Sequence, residues 1–131
     1  MTYVLACGGR DYTNSPRVYE VLDTIHKETP ISLLITGGAR GADTLADQWA
    51  KDRGVNRCIF PANWKAKGNG AGPARNAMML YVGKPTLVVA FPGGSGTRDM
   101  IRRSLIERQE RGLPIVREFD DVRELPILEA D

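Results

Sequence analysis

Four short runs of the chain bring together residue types that can grip and work on a phosphate. They are Gly8-Gly9-Arg10-Asp11, Gly37-Gly38-Ala39-Arg40 with Asp43, Arg75-Asn76, and Pro92-Gly93-Gly94-Ser95-Gly96-Thr97 with Asp99. Glycine lets the backbone approach an anion closely, and the unpaired N–H groups of a helix start point at it with the helix dipole behind them. Arginine adds a planar fork that matches phosphate or carboxylate oxygens. Asp11, Asp43 and Asp99 are the carboxylates available for acid–base work beside such an anion. The plainer alternative for residues 92–97 is a tight turn, but three glycines with Ser95 and Thr97 exceed what a turn requires. Asp43 could equally be a helix cap and Arg40 a solvated charge; the convergence of all these residues favours a site.

That convergence depends on the elements between the runs. Thr86-Leu87-Val88-Val89-Ala90-Phe91 carries no charge and reads as a strand buried on both faces, emptying through glycines into a helix of about 97–111. Residues 2–7 form a first strand ending at Gly8. Asn14, Ser15 and Pro16 then open a helix of about 16–28 with Val18, Val21, Leu22 and Ile25 inward. Residues 31–36 form a second strand, followed by a helix carrying Trp49 in its apolar stripe and closed by Gly54. A third strand of about 56–60 leads to a loop, 61–72, which exposes Trp64. Pro73 opens a further helix, and 113–116 supplies a fifth strand. This βα alternation predicts an α/β fold: a single Rossmann-like, doubly wound parallel sheet of about five strands with helices on both faces. In such a sheet ligands bind beyond the carboxyl ends of the strands, and three strands here end in glycines at that edge.

Standard nucleotide and hydrolase signatures are absent. No G-x-G-x-x-G follows the first strand, no Walker-type G-x-x-x-x-G-K-[ST] is present, and no G-x-S-x-G elbow has a histidine partner. His26, the single histidine, reads as a surface or boundary residue. Cys7 and Cys58 lie in apolar runs, and neither a disulfide framework nor a metal site is expected. No cofactor is called for.

At 131 residues, 42% hydrophobic and 26% charged, the chain fits one globular domain. Its net charge of +2 is too small to argue for nucleic acid, but the last 14 residues alone hold six acidic side chains and one basic one. Residues 118–131 are therefore expected to be an acidic, partly ordered tail after a domain spanning 1–117. No leader or membrane-spanning stretch is read, so a cytoplasmic location without membrane association is expected.

Five ordered motifs carry a resemblance. Residues 7–12 (CGGRDY), 36–43 (TGGARGAD), 61–64 (PANW), 71–76 (AGPARN) and 91–97 (FPGGSGT) together resemble the YspA-type branch of the SLOG superfamily over about residues 3–117. That superfamily is similar to the LOG phosphoribohydrolases and to the DNA-processing protein DprA. The resemblance implies a Rossmann-like fold, a nucleotide or nucleotide-derived ligand, and a homodimer, since relatives commonly pair. Arg75 falls on the arginine that LOG enzymes use to cleave a base from a nucleoside 5′-monophosphate, while Met100 stands where those enzymes have a glutamate.

The expected function is binding of a nucleotide or nucleotide-derived small molecule, its phosphate on residues 93–97 beside Arg75 and its base against Trp64. The alternative is LOG-like N-glycosidic cleavage, with Asp11, Asp43 or Asp99 replacing the missing glutamate. DprA-like nucleic-acid binding ranks third, for want of a basic, aromatic-rich stripe.

Overall fold

The computed structural model describes residues 1–127. Five strands, β1 (Thr2–Cys7), β2 (Ile31–Thr36), β3 (Arg57–Ile59), β4 (Leu87–Ala90) and β5 (Ile115–Phe119), lie parallel, and β6 (Glu124–Leu125) pairs antiparallel with β5. The strand order is β3-β2-β1-β4-β5-β6. The order reverses between β1 and β4, where Leu5 faces Val88 and Cys7 faces Ala90 across the ladder. This is the doubly wound α/β arrangement that the alternation predicts, with one strand more than expected.

Helices cover both faces because the strands alternate. Val4, Ala6, Leu34, Val89 and Phe91 turn one way, onto α1 (Ser15–Glu28) and α2 (Ala42–Arg53). Leu5, Cys7, Ile35, Val88 and Ala90 turn the other way, onto α4 (Ala71–Tyr81) and α5 (Ser95–Arg111). Local signals set the helix ends. The Asn14 side chain accepts the Arg17 N–H at 3.2 Å to cap α1, and Gly54 and Gly112 adopt the left-handed conformation that closes α2 and α5. Trp49 is fully buried on α2 and donates its indole N–H to Asp23 at 2.8 Å. His26 is structural: its Nδ1 accepts the Ile31 N–H at 2.9 Å, which ties the end of α1 to the start of β2.

Two segments differ from their expected form. Residues 61–72 are not an open loop throughout. Trp64–Lys67 forms a short helix, α3, and Gly68–Gly70 a 3-10 turn that runs into α4 at Ala71, before Pro73. The Asn63 side chain caps this turn by accepting the Ala66 N–H at 3.2 Å, which overrides the glycines. The segment after 117 continues the sheet. Phe119 is buried against Phe91, with Arg17 and Arg117 over its ring, and Tyr12 bonds Asp121 at 2.7 Å. The expected acidic tail thus contributes a strand end and a sixth strand; its last four residues lie outside the described ones.

Phe119 should therefore behave as a core residue. Phe119→Ala is expected to cost about 3 kcal/mol or more by urea denaturation, as for other buried aromatics. Val122→Ala, at an exposed position in the same segment, should change stability by no more than about 0.5 kcal/mol.

Candidate functional site

A cleft of ≈ 670 Å³ opens where β1 and β4 end, at the switch in strand order. Gly8, Gly9 and Arg10 enter it from β1, Asp43 from α2, Trp64 from α3, Arg75 and Asn76 from α4, and Gly94 to Thr97 with Asp99 from α5. A second cavity of ≈ 340 Å³ adjoins it, lined by Gly37, Gly38 and Arg40 and sharing Arg10, Ala39, Trp64 and Arg75 with the first. Three expected site residues line neither. The Pro92 carbonyl accepts the Gly9 N–H at 2.8 Å, Gly93 packs on Thr97, and Asp11 is an exposed partner of Arg40 at 3.3 Å.

The glycines divide into two kinds. At Gly8 an added Cβ would lie 2.6 Å from the Ala42 Cβ, and at Gly9 it would lie 2.9 Å from the Pro92 carbonyl oxygen, so packing of the protein itself excludes side chains. Gly94 and Gly96 are different: a Cβ at either meets nothing within 4 Å. Gly94 caps α5 without a side chain, so the N–H groups of Ser95, Gly96 and Thr97 have no helical acceptor. These N–H groups and the positive end of a 17-residue helix make the most anion-attracting backbone of the cleft.

Two guanidinium groups line the same cleft without an ion pair to a carboxylate, although both act on Asp43 at longer range. Elsewhere arginines are paired: Arg53 with Asp23, Arg57 with Asp47, Arg102 and Arg103 with Asp99, Arg111 with Glu107. Arg10 and Arg75 have no such ion pair among the described residues. Arg75 Nη1 donates to the Gly37 carbonyl at 2.7 Å, and its Nε donates to the Asn76 side chain at 3.3 Å. A Cβ at Gly37 would collide with the Arg75 guanidinium, so that glycine makes room for it. The Arg10 guanidinium lies 5.0 Å from the centre of the Trp64 ring, a cation–π contact at the mouth of both cavities.

The carboxylates have distinct duties. Asp99 accepts from Asn76 at 3.0 Å, Arg103 at 2.9 Å and Arg102 at 2.8 Å, and these donors hold it below the usual carboxylate range against its partial desolvation. So constrained, Asp99 is a fixed anion and a weak proton acceptor. Asp43 is buried and accepts the N–H groups of Gly37 and Ala39 at 3.1 and 3.2 Å, stapling the turn after β2. Burial pushes its pKa up to about 6, although those bonds and Arg75 pull the other way. Met100 is 1% exposed within the core between α5 and the sheet, so the LOG glutamate position faces away from the cleft.

Cys7, Ala39, Asn69, Gly72, Pro73 and Met79 also line the cleft and were not expected there as site residues. Cys7 ends β1 directly before Gly8, and Met79 lies one helical turn after Asn76, so strand end and helix period could have found both. Asn69 carries no such signal. The Cys7 thiol is pushed far up by burial, with Asp43 adding to the effect, and is not a nucleophile.

Asp43 makes stability depend on pH. Its pKa is higher in the folded state than the ordinary 3.8, so its stabilising contribution is complete below that value and is lost as pH rises through about 6. Over that window the wild-type protein should lose roughly 3 kcal/mol relative to Asp43→Asn, measured as the pH dependence of the urea midpoints of both proteins.

Similarity to known proteins agrees with this placement of motifs. The family model described as YspA, cpYpsA-related SLOG matches residues 2–66, which include the first two glycine runs and Trp64. The Gene 61 protein of Mycobacterium phage D29 is 35% identical over 124 residues, covering 88% of this chain and 95% of that protein. With its glycine runs, arginines and α5 start gathered on one edge of a Rossmann-like sheet, the chain belongs to the YspA, cpYpsA-related SLOG family.

Proposed function

We propose that the cleft binds a nucleotide or nucleotide-derived small molecule and does not break its glycosidic bond. The observation that carries this reading is the pair of glycines, Gly94 and Gly96, that no protein atom requires to be glycine. A side chain at either would meet no protein atom within 4 Å, and both stand at the start of α5, where three N–H groups have no helical acceptor. A phosphate in that space accepts those N–H groups and meets Arg75 from the facing helix. Trp64, half exposed beside Arg10, offers a face on which a base can stack. Family membership supports a nucleotide-related ligand.

Glycosidic cleavage finds less support. The developing oxocarbenium ion needs a carboxylate at hand, or one that positions water. Met100 is in the core, Asp43 is spent on two backbone bonds, and Asp11 stands outside both cavities. Asp99 reaches the cleft, but three side-chain donors occupy it. The test is a panel of nucleoside mono-, di- and triphosphates followed by Trp64 fluorescence, thermal shift and base release. Binding with no release is expected. Release at roughly 1 s⁻¹ or faster would overturn the reading in favour of catalysis.

Gly96 yields a sharper expectation, because stability and binding should move in opposite directions. Gly96→Ala places a methyl group in open space in the first turn of α5 and should stabilise the fold by up to about 1 kcal/mol. The same methyl group stands where a phosphate would approach, so nucleotide affinity should fall at least tenfold. Gly94→Val should fold and fail to bind. A variant that is both more stable and unimpaired in binding would remove the phosphate from this helix end.

A further inference from the structure

The smaller cavity has a chemistry of its own. Arg10, Arg40 and Arg75 line its ≈ 340 Å³, no carboxylate does, and Gly38, Pro61 and Ala62 complete the walls. Arg40 has one ion pair, with Asp11 at 3.3 Å, and both side chains are largely exposed, so an entering anion can replace Asp11 at little cost. Arg75 is anchored by the Gly37 carbonyl and Arg10 by the Trp64 ring, so two of the three forks are held in position before anything binds. Three guanidinium groups around a cavity of this size suit a phosphate dianion.

The cavity is also continuous in composition with the cleft. Arg10, Ala39, Trp64 and Arg75 line both, whereas the open start of α5 lies in the cleft alone and Arg40 and Ala62 in the smaller cavity alone. One anion-attracting feature is the helix end and the other is the arginine cluster, with an aromatic ring at their common mouth. A mononucleotide with a single phosphate group satisfies only one of them.

Resting on the nucleotide reading above, we infer that the ligand is a nucleotide carrying two separate phosphate groups. One phosphate lies on residues 94–97 and the other lies by Arg10 and Arg40; Arg75, which lines both cavities, stands between the two, and the nucleoside passes Trp64. A nucleoside 3′,5′-bisphosphate is the simplest molecule of this class. The two phosphates are not adjacent in it, so each can enter a different cavity.

Isothermal titration with nucleoside 5′-monophosphates and the matching 3′,5′-bisphosphates of the four RNA bases tests this. For at least one base the bisphosphate should bind at least tenfold more tightly. Arg40→Ala should remove most of that gain. Ala62→Asp, which sets a carboxylate into the smaller cavity, should abolish the gain while leaving monophosphate affinity within about twofold of wild type. Unfolding midpoints confirm that both variants are folded. Monophosphates that bind as tightly as bisphosphates would overturn this inference and leave the nucleotide reading standing, as would a gain that survives Ala62→Asp. If no nucleotide of either kind binds, both fall together.

Discussion

The backbone of Gly9 ties the three glycine turns into one edge. Its N–H donates to the Pro92 carbonyl at 2.8 Å, and its carbonyl accepts the Ala42 N–H at 3.1 Å. A side chain at Gly9 would press on Pro92, one at Gly93 would strike Thr97 and the Gly9 nitrogen, and one at Gly41 would strike the Gly9 carbonyl. Gly41 also has φ +78°, which favours glycine at that position. Three chain segments distant in sequence thus cross at a point where only backbone fits. The ends of β1 and β4, and the starts of α2 and α5, take their relative positions from this crossing.

The two helix starts that meet there have opposite characters, although both follow a glycine run. At α2 the Asp43 side chain and the Gly9 carbonyl already occupy nearby N–H groups, so that turn is internally satisfied. At α5 neither a cap nor an acidic residue occupies the first turn. Electrostatically, the protein neutralises one positive helix end with its own carboxylate and leaves the other open. Burial raises the Asp43 pKa to about 6, so its negative charge is present at this helix end above that pH, where Arg75 and Arg10 favour it.

The sequence made the sheet legible because the apolar runs are short, uncharged and separated by glycines, which few other arrangements produce. It concealed β6 because residues 118–125 mix charges with single apolar residues, and the strand exists only through pairing with β5. It concealed α3 because three glycines within five positions, Gly68, Gly70 and Gly72, read as breakers while the Asn63 cap works locally. The family motif located Met100 by spacing, but helix phase decides which neighbour faces the cleft. At about 100° per residue, Asp99 lines the cleft and Met100 enters the core. The carboxylates looked alike in the sequence. Their differences come from partners brought in by folding: two backbone amides for Asp43, three side chains for Asp99, and one exposed arginine for Asp11.

Asn76 joins the walls of the cleft, donating to the Gly96 carbonyl at 3.2 Å and to Asp99 at 3.0 Å, while α3 on the opposite side buries none of its residues. One wall is therefore stiff and the other compliant. A stiff wall discriminates by shape, because a misfitting group cannot be accommodated by small adjustments, whereas a compliant wall tolerates variation. For the proposed nucleotide, selectivity should consequently be unequal: strict for the group proposed to dock at α5 and permissive for the group proposed to lie on Trp64. On the proposed reading, a few substitutions in α3 would change the base accepted and leave the phosphate end untouched.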